Sequence, residues 1–151
     1  MIRPAQPTDL DTVVALIGEL AEYEHLAHEV VLDRDELAGH LFGARPYAEV
    51  LIAEADDGEP VGYALVHLRG PEETWETGER IGVLETLTVL PDERGRGIGS
   101  ALFECIYAEL RRLGVTELQV AVISKNAAAL RFYERHGLLP FTVSFMGRVR
   151  D

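Results

Sequence analysis

The chain is short of thiols, of lysine and of positive charge in general. Cys105 is its only cysteine among 151 residues, which excludes an internal disulfide framework and suits a reducing compartment, so the cytoplasm is the expected location. Lys125 is the only lysine. No apolar run reaches the ~20 residues that span a bilayer, and the opening MIRPAQPTDL lacks the charged-then-apolar pattern of a secretory signal. Five histidines (His25, His28, His40, His67 and His136) show no metal-ligand spacing, so no metal is expected. His25 and His28, three apart, read as surface residues.

Acids exceed bases by 12, and the imbalance is local: residues 1–60 hold 14 acids against 3 arginines, whereas residues 61–151 hold 12 acids against 11 bases. The front half repels nucleic acid and attracts cations. It is either a solvated surface or a wall that draws in a cationic substrate. No nucleic-acid or membrane partner is expected. Apolar content of 47% with 26% charged residues is ordinary for a globular protein, and the length suits a single domain over residues 1–151.

A short strand is expected over IRPA, then a helix in PTDLDTVVALIGELAEYEHL. Leu10, Val13, Val14, Ile17 and Leu20 recur there at helical spacing, with Thr8 as cap and Asp11 completing a capping box. DRDELAGHLF is a shorter helix, with Asp33 and Glu36 at the same spacing. AEVLIAEADDGEPVGYALVHL reads as a hairpin about Asp57-Gly58. RGPEETWETGER is a polar loop of about a dozen residues, whose Trp75 either lines a substrate mouth or buries in a dimer contact.

IGVLETLTVL is a strand stopped by Pro91. Alternation sets Glu85, Leu87 and Val89 on one face and Leu84, Thr86 and Thr88 on the other. GIGSALFECIYAELRRLG is a helix with Ile98, Leu102, Cys105, Ile106 and Leu113 inward, so that Cys105 belongs to the core; Gly114 ends it. VTELQVAVI is a strand, NAAALRFYERHG a helix capped by Asn126 and closed by Gly137, and PFTVSFMGRV a last strand. The order β-α-α-β-β-β-α-β-α-β is a mixed α/β sheet in which residues 81–122 form a right-handed parallel crossover.

DERGRGIGS, with Gly95, Gly97 and Gly99, joins that strand to that helix. Glycine is costly inside regular elements. At this junction it lets an anion reach the unpaired N–H groups and positive dipole end of a helix, and Arg94 and Arg96 add charge-assisted donors. A phosphate or pyrophosphate cradle is therefore expected. A Walker loop is excluded because no Gly-Lys-Ser/Thr occurs, and the dinucleotide fingerprint because Ser100 stands where Gly-x-Gly-x-x-Gly needs its last glycine.

Arg94-x-x-Gly97-x-Gly99 resembles the Gln/Arg-x-x-Gly-x-Gly/Ala signature of the GNAT superfamily of N-acetyltransferases, which cradles the pyrophosphate of acetyl-CoA. NAAALRFYERHGLLPF resembles the family's second signature, Asn-x-x-Ala-x-x-Phe-Tyr-x-x-x-Gly-Phe, with Leu138 in the place of the common aromatic. LIGELAEYE is similar to spermidine/spermine N-acetyltransferases and their thialysine-acetylating relatives. Those enzymes carry two adjacent acids where this chain has Glu85-Thr86, and more acids where it reads HLAHEV.

The resemblance implies the GNAT acyl-CoA N-acyltransferase fold, acetyl-CoA as cosubstrate and direct transfer to a primary amine. Cosubstrate contacts then fall to Leu87, Thr88 and Val89 on the central strand, to Arg94, Gly95, Arg96, Gly97, Ile98, Gly99 and Ser100, and to Asn126, Phe132 and Arg135. Tyr133 takes the place of the general acid facing the CoA sulfur, and a backbone N–H near Leu87 or Val89 meets the oxyanion where the family splays two strands. An amine of pKa near 10.4 is neutral in about one molecule in a few thousand at pH 7, so a base is needed. Glu85 fits best, as a lone carboxylate among apolar neighbours whose pKa should rise. A small cationic amine ranks first as acceptor, then a protein N-terminus or lysine, then an aminoglycoside. The non-enzyme rival is an acyl-CoA-binding regulatory module. The segments that read the acceptor are expected near residues 22–32 and 69–80 and in the last strand, which is also a candidate homodimer contact.

Overall fold

The computed structural model describes residues 1–23, 33–44, 46 and 48–150, with the side chains of 20–23 excepted. Leu20 as a core residue, His25, His28 and the acceptor-reading stretch after residue 23 lie outside the described residues. The chain divides into two compact units, Met1–Val120 and Ala121–Asp151.

The first unit is a five-stranded sheet in the order β1-β2-β3-β4-β5. Strands β1 (Ile2–Pro4), β2 (Ala48–Glu54), β3 (Pro60–Arg69) and β4 (Ile81–Val89) are antiparallel neighbours, while β5 (Leu118–Val120) pairs parallel to β4. The hairpin turn at Asp57-Gly58 forms as expected, with Gly58 at φ 87°, a conformation that L side chains rarely adopt. The β4–β5 crossover passes through α3 (Ile98–Arg112).

Helices α1 (Leu10–Tyr23) and α2 (Arg34–Phe42) cover one face of the sheet. Their buried residues Leu10, Val13, Leu16, Leu37 and Leu41 pack with Val50, Ile52 and Tyr63. Val14 and Ile17 are only half-buried, and Leu16 takes the deeper place. Asp33 caps α2 by accepting from the N–H groups of Asp35 and Glu36, whereas Thr8 does not cap α1. The chain enters α1 through a 3-10 turn at Pro7–Asp9, where Asp9 Oδ2 takes the Gln6 N–H at 2.7 Å and both Asp9 oxygens take the Arg3 guanidinium.

Helix α3 packs on the other face through Leu102, Phe103, Ile106 and Leu110, all buried. Cys105 is half-buried rather than core, as are Ile98 and Leu113. Phe103 and Leu110 supply the contact instead, because the helix turns its 102–103–106–110 stripe to the sheet.

The second unit holds α4 (Ala127–Arg135). Asn126 Oδ1 accepts from the Ala129 N–H at 3.1 Å, and Gly137 follows the helix at φ 88°. The strand expected over PFTVSFMGRV does not form, and residues 138–150 take no regular structure. A strand needs a partner ladder to satisfy its backbone, and no described strand pairs with this segment. β5 is likewise shorter than VTELQVAVI suggests.

Candidate active site

Two features of the first unit mark a candidate site. The first lies mid-strand on β4. Leu65 and Val66, adjacent on β3, pair with Thr86 and Leu84, so Glu85 is left without a cross-strand partner. This is a β-bulge, the device that bends a strand and re-aims a side chain next to active sites. It breaks the expected alternation. Glu85 meets His67, with Nδ1 to Oε1 at 2.9 Å, and His67 lies on the face of β3 that carries Tyr63 and Leu65. Their partners Thr88 and Thr86 share that face, so Glu85 faces with the threonines and not with Leu87. Nor is it a lone carboxylate among apolar side chains: half of it is exposed and one oxygen is held by an imidazole.

The second feature is the end of β4 and the start of α3. A 3-10 turn, Pro91–Glu93, leads into Gly95 and Gly97 at φ 79° and 82°. Nothing lies within 4 Å of where a Cβ would sit at either glycine, so the backbone is open to approach. Gly97 is the N-cap of α3 and offers no side-chain acceptor, and the first turn carries no acid. The N–H groups of Ile98 and Gly99, which begin the helix, have no partner in its own ladder by position and lie under the positive end of a 15-residue helix.

Arg94 Nε donates to the Val89 carbonyl at 2.9 Å and ties the loop to the strand end. Arg96 lies exposed at the rim, 2.9 Å from Glu93. Both arginines have local partners: Arg94 shapes the turn, and Arg96, its side chain 66% exposed, is an accessible cation. The parallel ladder ends at Leu84–Val120. From Glu85 to Val89 the outer edge of β4 has no strand partner among the described residues of this unit, which leaves backbone donors near Leu87 and Val89 unclaimed by a ladder.

The loop over residues 70–80 is folded against this unit by Glu76, whose side chain is 1% exposed. Both its oxygens take the Arg69 fork, at 2.8 and 2.6 Å. Oε2 also accepts from the N–H groups of Glu72 and Glu73, and Oε1 from Gln119. The guanidinium first, then the Glu72 N–H, hold this carboxyl far below the usual carboxylate range. Trp75, beside it, is 47% exposed.

In the second unit, α4 presents Asn126, Phe132, Tyr133 and Arg135. The Tyr133 ring meets Phe132 edge-on at 5.2 Å, and burial pushes its hydroxyl up to about 12. It keeps its proton at neutral pH and can only donate or accept as a phenol.

Residue types alone pointed to Glu85, the glycines, the arginines and Tyr133. They did not reveal His67, because a cross-strand contact leaves no spacing signal, nor the Glu76 latch, whose partners lie 7 and 43 residues away in sequence. Among the described residues no cluster of three His, Cys, Asp or Glu could hold a metal ion, and no helix is long and apolar enough to cross a membrane.

Residues 13–138 match the family model described as acetyltransferase (GNAT) family. The chain is 35% identical over 149 residues to a thialysine N-epsilon-acetyltransferase of Bos taurus, covering 94% of this chain and 85% of that protein. It is 32% identical over 138 residues to an aminoalkylphosphonate N-acetyltransferase of Salmonella typhimurium, covering 90% and 82%. The aminoglycoside N-acetyltransferase AAC(6')-Iy, solved with a CoA-linked bisubstrate analogue, superposes with a TM-score of 0.80 at 22% identity over 100% of this chain and 98% of that one. The mixed sheet, the uncapped glycine turn and these likenesses agree: the chain belongs to the GNAT acetyltransferase family and is an acetyl-CoA-dependent N-acetyltransferase.

Proposed function

We propose that the enzyme acetylates the primary amine of a small cationic molecule, a polyamine, diamine or amino-acid-like compound, by direct transfer. The observation that carries this is Glu85, a half-exposed carboxylate lifted out of the ladder by a bulge on the strand that runs into the glycine turn. A carboxylate there attracts an ammonium group and can take its proton, directly or through water, as the amine attacks the thioester carbonyl. The C–N bond forms as the C–S bond breaks, and the departing thiolate takes a proton from Tyr133, whose hydroxyl is held protonated at neutral pH. The uncapped start of α3, with Arg96 at its rim, supports a pyrophosphate at Gly95–Ser100, and a β4 N–H near Leu87 or Val89 supports the oxyanion.

The amine-acetylating relatives favour a small acceptor over a protein one. The lone cysteine fits a cytoplasmic enzyme, and the exposed apolar residues of the second unit fit a homodimer.

Acetyl-CoA is expected to raise the Tm of the wild type and not that of an Arg96→Glu, Gly97→Glu double variant. A shift that survives the double change puts the pyrophosphate elsewhere. A thiol-release screen over thialysine, spermidine, aminoalkylphosphonates, aminoglycosides and lysine peptides then reads the acceptor, and preference for a peptide overturns the small-amine assignment.

A further inference from the structure

We propose that His67 is a positioning residue for the reaction: its Nδ1–H holds Glu85 in the one orientation that serves the acceptor amine. This rests on the reading of Glu85 as the group that meets the amine.

The two side chains come from different strands and meet beside the bulge. The residue of β4 directly opposite His67 is Val83, two positions before Glu85. Strand alternation keeps positions two apart on one face, so Glu85 shares the face of Val83 and lies diagonal to His67. The bulge leaves Glu85 unpaired on that face, next to Thr86, and Nδ1 of His67 reaches its Oε1 at 2.9 Å. A carboxylate only accepts, so Nδ1 carries the hydrogen and Glu85 keeps Oε2 for another donor. Glu85 has three rotatable side-chain bonds and is half exposed; without a tether, its carboxylate samples several rotamers in water. A half-exposed pair contributes little to stability. The consequence of the contact is geometric, and misplacing a catalytic group by about 1 Å can cost up to ~100-fold in rate.

The test compares Glu85→Gln, His67→Ala and His67→Asn with the wild type, using the amine of the screen that releases thiol fastest. Asn places its Nδ2–H close to where imidazole Nδ1–H lies, so it restores the donor without the ring. Glu85→Gln is expected to lose kcat by about 100-fold or more. His67→Ala is expected to lose about 10- to 100-fold in kcat, with the KM for acetyl-CoA and the Tm unchanged, and His67→Asn to return to within about 3-fold of wild type. Wild-type kcat in His67→Ala, with Glu85→Gln impaired, overturns the positioning role and leaves the Glu85 reading standing. An Asn variant as slow as the Ala variant also overturns it, since the N–H is then not what matters. Wild-type kcat in Glu85→Gln removes the Glu85 reading itself.

Discussion

Glu76 is the residue on which the 70–80 loop depends. Its carboxylate gathers the Arg69 fork, two backbone N–H groups and Gln119 in a site that is almost fully closed to solvent. Because its pKa is depressed in the fold, chiefly by Arg69, it binds a proton more readily in the unfolded chain. Its stabilising contribution is therefore present above the unfolded carboxylate pKa of about 4.3 and is lost as pH falls through the lower folded value. Glu76→Gln is expected to melt below the wild type at pH 7, and thermal melts at pH 7 and pH 3.5 should show the gap narrowing in acid. An unchanged gap at pH 3.5 means that the charge is not what holds the loop. At this scale the sequence singles out residues by type, as it does the candidates Glu85, Tyr133 and the glycines. It was illegible where chemistry resides in a meeting of distant residues, as with His67–Glu85 and Arg69–Glu76–Gln119.

At the scale of elements, the β3–β4 pair carries the candidate site, and its spacing depends on a residue with no motif around it. A Cβ on Gly62 would lie 2.7 Å from the Thr88 carbonyl oxygen and 3.2 Å from the Val89 Cα, both backbone atoms that cannot swing aside. The two strands approach there just before β4 ends and the glycine turn begins. Gly62→Ala should force them apart, at about 1–3 kcal/mol, lowering the Tm by roughly 2–4 °C per kcal/mol for a chain of this size. It should also weaken the acetyl-CoA-induced shift, because Val89 anchors Arg94. A wild-type melt with a wild-type shift shows that the pair can relax. Helices α2, α3 and α4 and the hairpin were legible from periodicity and punctuation. The bulge was not read: the polar pair Glu85-Thr86 interrupts the alternation of LETLTV there, but only the ladder with β3 shows which residue is skipped. α3 was placed correctly in sequence but read one position out of phase at Phe103, since helical spacing alone allows several neighbouring stripes.

For the whole molecule, the second unit poses the remaining question. A unit of this length is below the ~40 residues that usually build a core alone, and its tail leaves Leu139, Phe141, Val143 and Phe145 at 80%, 76%, 79% and 94% exposure. These four recur every second residue, the period of one face of a strand, which is why PFTVSFMGRV reads as a strand from sequence although it has none of a strand's ladder. The period is a strand's, and among the described residues no strand pairs with it. An exposed apolar row with a strand's period is suited to pairing with a strand edge of another molecule, and a second copy of this chain is always at hand. On that argument light scattering behind size exclusion should give twice the 16.7 kDa of one chain. Placing lysine at two positions of the row, Phe141→Lys with Phe145→Lys, should return the mass to one chain, because burying two unpaired charges in an apolar contact costs several kcal/mol. A wild type that runs as a single chain at tens of micromolar removes the dimer. A charged double variant that still runs as two places the contact elsewhere and leaves the apolar row to some other cover.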